Sequence, residues 1–331
     1  MAVRVDATYP VQAPRAVPSA RERLWGRTAD RAHRGLLQLV ALAVIAAAVL
    51  IAWETARGAL PSIRAFGWRF LVSTDWDPVA EKFGALSYLY GTAVSSALAL
   101  LLAVPLGLGT AIYLVELAPR KFGVAVGFVV ELLAAIPSIV YGLWGLFVLA
   151  PFLRAAVEPW LIAHLGFLPL FRGFPFGIGM LNAGIVLAVM VVPTIVSISR
   201  EVLASMPRSL REAALALGAT RAEAIAVSLD AARPGILGAV ILALGRALGE
   251  TMAVTMVIGN TNRISASLLA PGATMASIIA NEFTEATGKL YLSALIEIAF
   301  VLFAATLIVN AGARFLVIRT TGGRRDVAGA A

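Results

Sequence analysis

Apolar residues fall into six long runs, and about 20 mostly apolar residues are what a helix needs to cross a bilayer. The runs are 35–53, about 89–114, about 122–151, about 177–199, about 235–259 and about 290–318. The third is long enough to bend near Pro137, and the fourth holds Pro193. The pattern predicts an all-α polytopic membrane protein with six transmembrane helices. Its parts are a tail (1–34), a first helix (35–53), an outer loop (54–88), a core (89–318) and a second tail (319–331).

Composition agrees: 60% of residues are hydrophobic and 14% charged, with mean hydropathy +0.88. Positive charge sets the orientation. The N-terminal tail holds seven Lys and Arg, the 2–3 loop two, the 4–5 loop five and the C-terminal end four; the alternate loops hold four, two and two. The richer side is cytoplasmic, so both termini are expected inside a bacterial inner membrane. The net charge of +8 is accounted for by this asymmetry, and no nucleic-acid partner is expected. The Arg-rich tail is expected to be disordered, and the first helix to remain uncleaved. Trp68, Phe70 and Trp76 suit an interfacial place in the first outer loop. Residues 152–176, broken by Pro and Gly, read as a helix on or in the outer interface.

The absence of cysteine excludes disulfides, thiolate metal sites and Cys nucleophiles, and His33 and His164 leave little for metal chemistry. There is no GxxxxGK[ST] loop; the one Gly-Lys, Gly288-Lys289, is followed by Leu290. The chain is therefore expected to be no enzyme and to bind no cofactor.

Two stretches carry candidate chemistry. The first is the 4–5 loop, 200–235. Pro207 and Arg208-Ser209 offer a helix start, and Leu210, Ala213, Ala214 and Leu217 share a face. A short helix, a turn at Gly218 and a second short helix would form a knob for docking into a partner's groove. A surface helix anchoring the loop fits the pattern equally. The second is ALGRALGETMAV, 243–254, where Arg246 and Glu250 stand in an apolar run. Charge at mid-bilayer costs a few kcal/mol or more, so it needs a reason. Spacing of i, i+4 puts the two on one helical face, close enough to pair. Either they form an internal ion pair, or the face lines a pathway where the guanidinium meets oxyanions and Glu250 eases release. Thr251 and Thr255 would add hydroxyl donors or bond their own helix. Gly245 and Gly249 suit close helix packing. Glu131 is a candidate partner for a cation, while Asn182 and Glu297 are expected at the interface.

Glu212-Ala213-Ala214 followed by Gly218, between two spans, resembles the EAA loop of ABC importer permeases, the binding-protein-dependent transport permeases. Where that family reads Leu-Pro, this chain has Leu229-Asp230. IPSIVYGLWGLFVLAP (136–151) and GRALGETMAVTMVIGN (245–260) resemble the PstC type of phosphate-specific transport permease. The paralogous PstA type reads GET followed by Ala-Pro and leucines. The resemblance covers roughly 35–320. It implies a MetI-like permease core that pairs with a PstA-like permease. Two PstB-like ATPases, carrying ATP and Mg, would dock on the EAA loops, and a PstS-like phosphate-binding protein would deliver phosphate from outside. Glu212, Ala213, Ala214 and Gly218 would couple to the ATPase; Arg246 and Glu250 would meet the anion. A permease for sulfate or molybdate is the near alternative. A stand-alone secondary transporter is the far one, but no inverted repeat supports it.

Overall fold

A computed structural model describes residues 20–322. The chain divides into two units, Met1–Glu54 and Thr55–Ala331. The described part of the first is the opening stretch of helix α1 (Ala20–Phe66). Its residues 33–51 are exposed all round, although nearly all are apolar from Gly35 on. A helix that is apolar on every face suits a hydrocarbon surrounding. Residues 20–34 are thus helical rather than a disordered tail; residues 1–19 and 323–331 lie outside the described residues.

In the second unit the end of α1 is followed by α2 (Arg69–Val72) and a hairpin of β1 (Trp76–Asp77) and β2 (Lys82–Phe83). Next come α3 (Leu86–Ile112), extended by a π turn at Tyr113–Leu117, and α4 (Arg120–Ala134). Helices α5 (Ser138–Trp144), α6 (Ala150–Phe152) and α7 (Glu158–Leu165) run as one span through π turns at Gly145–Leu149 and Leu153–Val157. Then follow α8 (Met180–Ala204), α9 (Arg208–Ala216), α10 (Arg221–Leu248), α11 (Met252–Val257), α12 (Met275–Glu282) and α13 (Lys289–Gly322). Among the described residues, six helical stretches are long and apolar enough to cross a membrane: His33–Phe66, Leu86–Leu117, Ser138–Leu165, Met180–Ala204, Arg221–Leu248 and Lys289–Arg319.

The core is built on α3 and α8, whose contact is the most extensive. Ala99, Ala103, Gly107 and Ala111 recur every fourth residue on α3, and all four are buried. In lipid there is little hydrophobic drive between helices, so small residues that let backbones approach carry the packing. Span three, Ala243 and Ala247 of α10, and α11 complete this cluster. A second cluster joins Phe70, Phe83 and Tyr88 to Met275, Leu295 and Ile298.

Several expectations change. The third span is 138–165, not 122–151: the chain leaves the helix at Ala135–Pro137, because the residue before a proline is pushed out of helical geometry. Fifteen-residue α4 is then a separate helix, too short to span at 1.5 Å per residue. Residues 152–165 belong to the span, not to a helix at the outer interface. The fifth span starts at Arg221, so the loop's second short helix is the first turns of α10. Phe70 is fully buried and the indole of Trp76 donates to Glu282 at 2.7 Å, so only Trp68, at 73% exposure, is free for the interface. Asn182 and Glu297 are buried in the protein rather than interfacial.

Candidate functional site

The fifth span is interrupted at the predicted charges. Helix α10 ends at Leu248, where Gly249 N–H bonds to Gly245 O at 3.3 Å, and α11 restarts at Met252. Arg246 lies in the last turn of α10 and Glu250 in the break, so the i, i+4 register that would pair them is lost. Among the described residues no ion pair joins them. Arg246 Nη1 instead donates to Thr194 Oγ1 at 3.3 Å, and Glu250 Oε1 accepts from Ala253 N–H at 3.2 Å, holding the first turn of α11. The Thr251 hydroxyl donates to Gly249 O at 3.3 Å and that of Thr255 to Thr251 O at 2.7 Å. Both threonines therefore spend their protons on their own backbone. Gly245 meets Asn310 of α13 at ordinary contact distance, and Gly249 touches only its own helix, so neither is a tight packing point.

Thr194 is central in α8, which runs from Met180 to Ala204. The Arg246 head is therefore level with the middle of span four, half-buried and held by a neutral hydroxyl. That arrangement keeps its full charge and most of its fork of donors free for an oxyanion. Thr194 had no signal in the sequence beyond being a polar residue in an apolar run.

A second polar centre was missed. Glu158, 1% exposed, accepts the Gly177 N–H at 2.9 Å, and Asn182 donates to Gly177 O at 2.8 Å and to Gly145 O at 3.3 Å. Gly177 thus ties span three to the start of α8. The α8 backbone is also held there: Gly179, Met180 and Leu181 N–H bond to carbonyls of Val257, Ala270 and Leu268. This satisfies donors that a helix start leaves orphaned.

The 4–5 loop forms helix α9 with no buried residue. Glu212 and Ala213 are exposed and Ala214 half-exposed. Gly218 turns the chain at φ +89°, in the left-handed region that favours glycine, and nothing lies within 4 Å of where a Cβ would stand. Leu217 beside it is 90% exposed. Thr220 starts α10 in a reciprocal capping box with Glu223. The four predicted coupling residues are thus together on one exposed tip, apart from Arg246 and Glu250. Glu131 finds its cation: it pairs with Arg200 of α8, from α4.

Known proteins resemble this chain in sequence and fold. The family described as binding-protein-dependent transport system inner membrane component matches residues 103–322. A phosphate transport system permease protein PstC from Mesorhizobium japonicum is 47% identical, over 92% of this chain and 95% of its own. A bacterial ABC transporter involved in import of the acidic polysaccharide alginate has a chain of like fold, at TM-score 0.60 and 16% identity, covering 90% of this chain and 99% of its own. An inward-facing MetNI methionine ABC transporter gives TM-score 0.51 at 21% identity, over 71% and 93%. The alternation of spans, the exposed Glu-Ala-Ala tip and these matches lead to one assignment: the chain belongs to the family of binding-protein-dependent transport system inner membrane components, a multi-pass transport subunit with the ABC permease fold.

Proposed function

We propose that the chain is the permease subunit of an ATP-driven phosphate importer. The observation that carries the reading is Arg246: a guanidinium level with the middle of span four, beside a helix break, with no carboxylate paired to it among the described residues. The near-full-length similarity to a phosphate transport permease supports phosphate as the anion. A PstA-like permease would complete the pathway, and a PstS-like binding protein would supply phosphate from outside. Both termini and α9 would face the cytoplasm, the side that the charge distribution favours. There Glu212, Ala213, Ala214 and Gly218 would dock in a PstB-like ATPase dimer that holds ATP and Mg. This chain would bind no cofactor itself.

The chemistry is capture and release of an anion. Arg246 gives up a long bond to Thr194 and takes phosphate oxygens on its fork. Glu250 fixes the start of α11, and with it the break that leaves Arg246 accessible. Thr251 and Thr255 stiffen the same break rather than donate to the anion. ATP binding would draw the two ATPases together, push α9 of each permease and open the pathway outward; hydrolysis would reset it.

The test is uptake of labelled phosphate at low micromolar concentration, in cells expressing this chain or its Arg246→Gln variant, with excess sulfate as competitor. Losing one charge-assisted contact worth about 1.5–3 kcal/mol should lower uptake roughly 10- to 100-fold, with membrane insertion intact. Full uptake by the variant removes Arg246 from the mechanism. Competition by sulfate would make the cargo a different oxyanion.

A further inference from the structure

Below the spans lies a cavity of about 940 Å³, bounded by the end of span two, α4, the end of α8 and α9. Two ion pairs line it. Arg211 of α9 pairs through Nη1 with Glu116 Oε2, and Arg200 of α8 pairs with Glu131 of α4. Glu201, Arg208 and Glu212 line it too, so the lining is mixed in sign and does not suit an anionic ligand.

The two pairs differ in the exposure of their carboxylates, while their arginines rank the other way, Arg211 at 37% and Arg200 at 22%. The Glu116 side chain is only 7% exposed, whereas that of Glu131 is 48% exposed. A pair shielded from water is screened less, and removing one partner leaves a stranded charge. Glu116 also sits in the π turn, closed by Ala118 N–H to Tyr113 O at 2.8 Å, where span two ends. Along the chain α9 is joined to α8 before it and to α10 after it. Span two has no link along the chain to α9; it packs on α8, and the Arg211–Glu116 pair joins it to α9 itself.

We propose that Arg211 and Glu116 form a positioning pair that clamps span two to the coupling helix, so that a push on α9 moves spans two, four and five together. Arg200–Glu131, whose carboxylate is the more exposed, is a second tie that brings α4 along. The proposal rests on reading α9 as the ATPase-docking element. Gly127 offers a way to disturb the second tie without deleting a charge: a Cβ there would collide with Arg200 Nη1 and force the guanidinium to shift.

The test uses the complete transporter in proteoliposomes, reading phosphate imported per ATP hydrolysed. Glu116→Gln should keep the ATPase on the complex and keep hydrolysis, while phosphate per ATP falls roughly tenfold. The charge swap Glu116→Arg with Arg211→Glu should recover most of the ratio. Gly127→Ala should lower it less than about fivefold. A ratio unchanged in Glu116→Gln, a swap without rescue, a complex that fails to assemble, or a Gly127→Ala loss as large as that of Glu116→Gln would each overturn the clamp. A second readout does not depend on transport. The chain has no native cysteine, so spin labels at Ala118→Cys and Leu217→Cys report the α9 to span two distance in the purified chain. The distribution should broaden in Glu116→Gln, and an unchanged one overturns the clamp. A wild-type complex that binds its ATPase but imports no phosphate would instead sink the cargo reading alone.

Discussion

Arg246 and Glu158 are both charges among apolar spans, held in opposite ways. Glu158 is shut in, bonded to the Gly177 backbone, while Arg246 is half-open and bonded to one hydroxyl at a long 3.3 Å. Shutting in a carboxylate serves structure. Replacing it by alanine leaves the Gly177 N–H without its acceptor, a loss of about 1–3 kcal/mol. Glu158→Ala should therefore lower the midpoint of thermal unfolding in detergent by several degrees, and Glu158→Gln, which keeps an acceptor, by much less. An equal fall in both would mean that charge rather than the bond matters. Arg246 was legible in the sequence because a charge in an apolar run stands out. Its partner was not, since pairing to Glu250 assumed an unbroken helix and the bond to Thr194 depends on how α8 and α10 face each other. Glu158 was missed because the stretch around it was placed at the outer interface rather than in a span.

At the scale of elements, long apolar runs located the spans, and breaks inside them were harder to read. Pro137 was seen as a bend, but the chain leaves helical geometry there altogether and α4 becomes a separate helix. The break at Gly249–Thr251 has no proline to mark it. The turn at Gly218, in contrast, was legible, because a glycine after a short amphipathic helix is a common terminator. Its role is conformational: φ is +89° with open space around it. Gly218→Ala should cost about 1–2 kcal/mol in that turn and weaken co-purification of the ATPase, while Gly218→Asn, a residue that tolerates the left-handed region, should largely keep it. Equal retention of the ATPase by both variants would show that the turn does not need its conformation. Thr220→Ala should remove the capping box behind it at about 1 kcal/mol, read as faster amide hydrogen exchange in the first turn of α10.

At the scale of the molecule, the orientation of the chain can be checked directly by thiol labelling, since the sequence contains no cysteine to confuse it. Val79, 96% exposed in the hairpin turn, and exposed Ala216 at the end of α9 should lie on opposite sides of the membrane. In intact cells an impermeant thiol reagent should label Val79→Cys at once and Ala216→Cys only after permeabilisation. The reverse pattern would invert the topology and with it the coupling scheme. The bare tip at Leu217 also bears on the life of the subunit in the cell. A chain made ahead of its partners would display an unmasked leucine to the proteases that survey newly inserted proteins. Its half-life in a pulse-chase should lengthen when the ATPase is supplied in excess and shorten when it is withheld. Subunit numbers would then be balanced by destruction of the unclaimed copy rather than by matched synthesis.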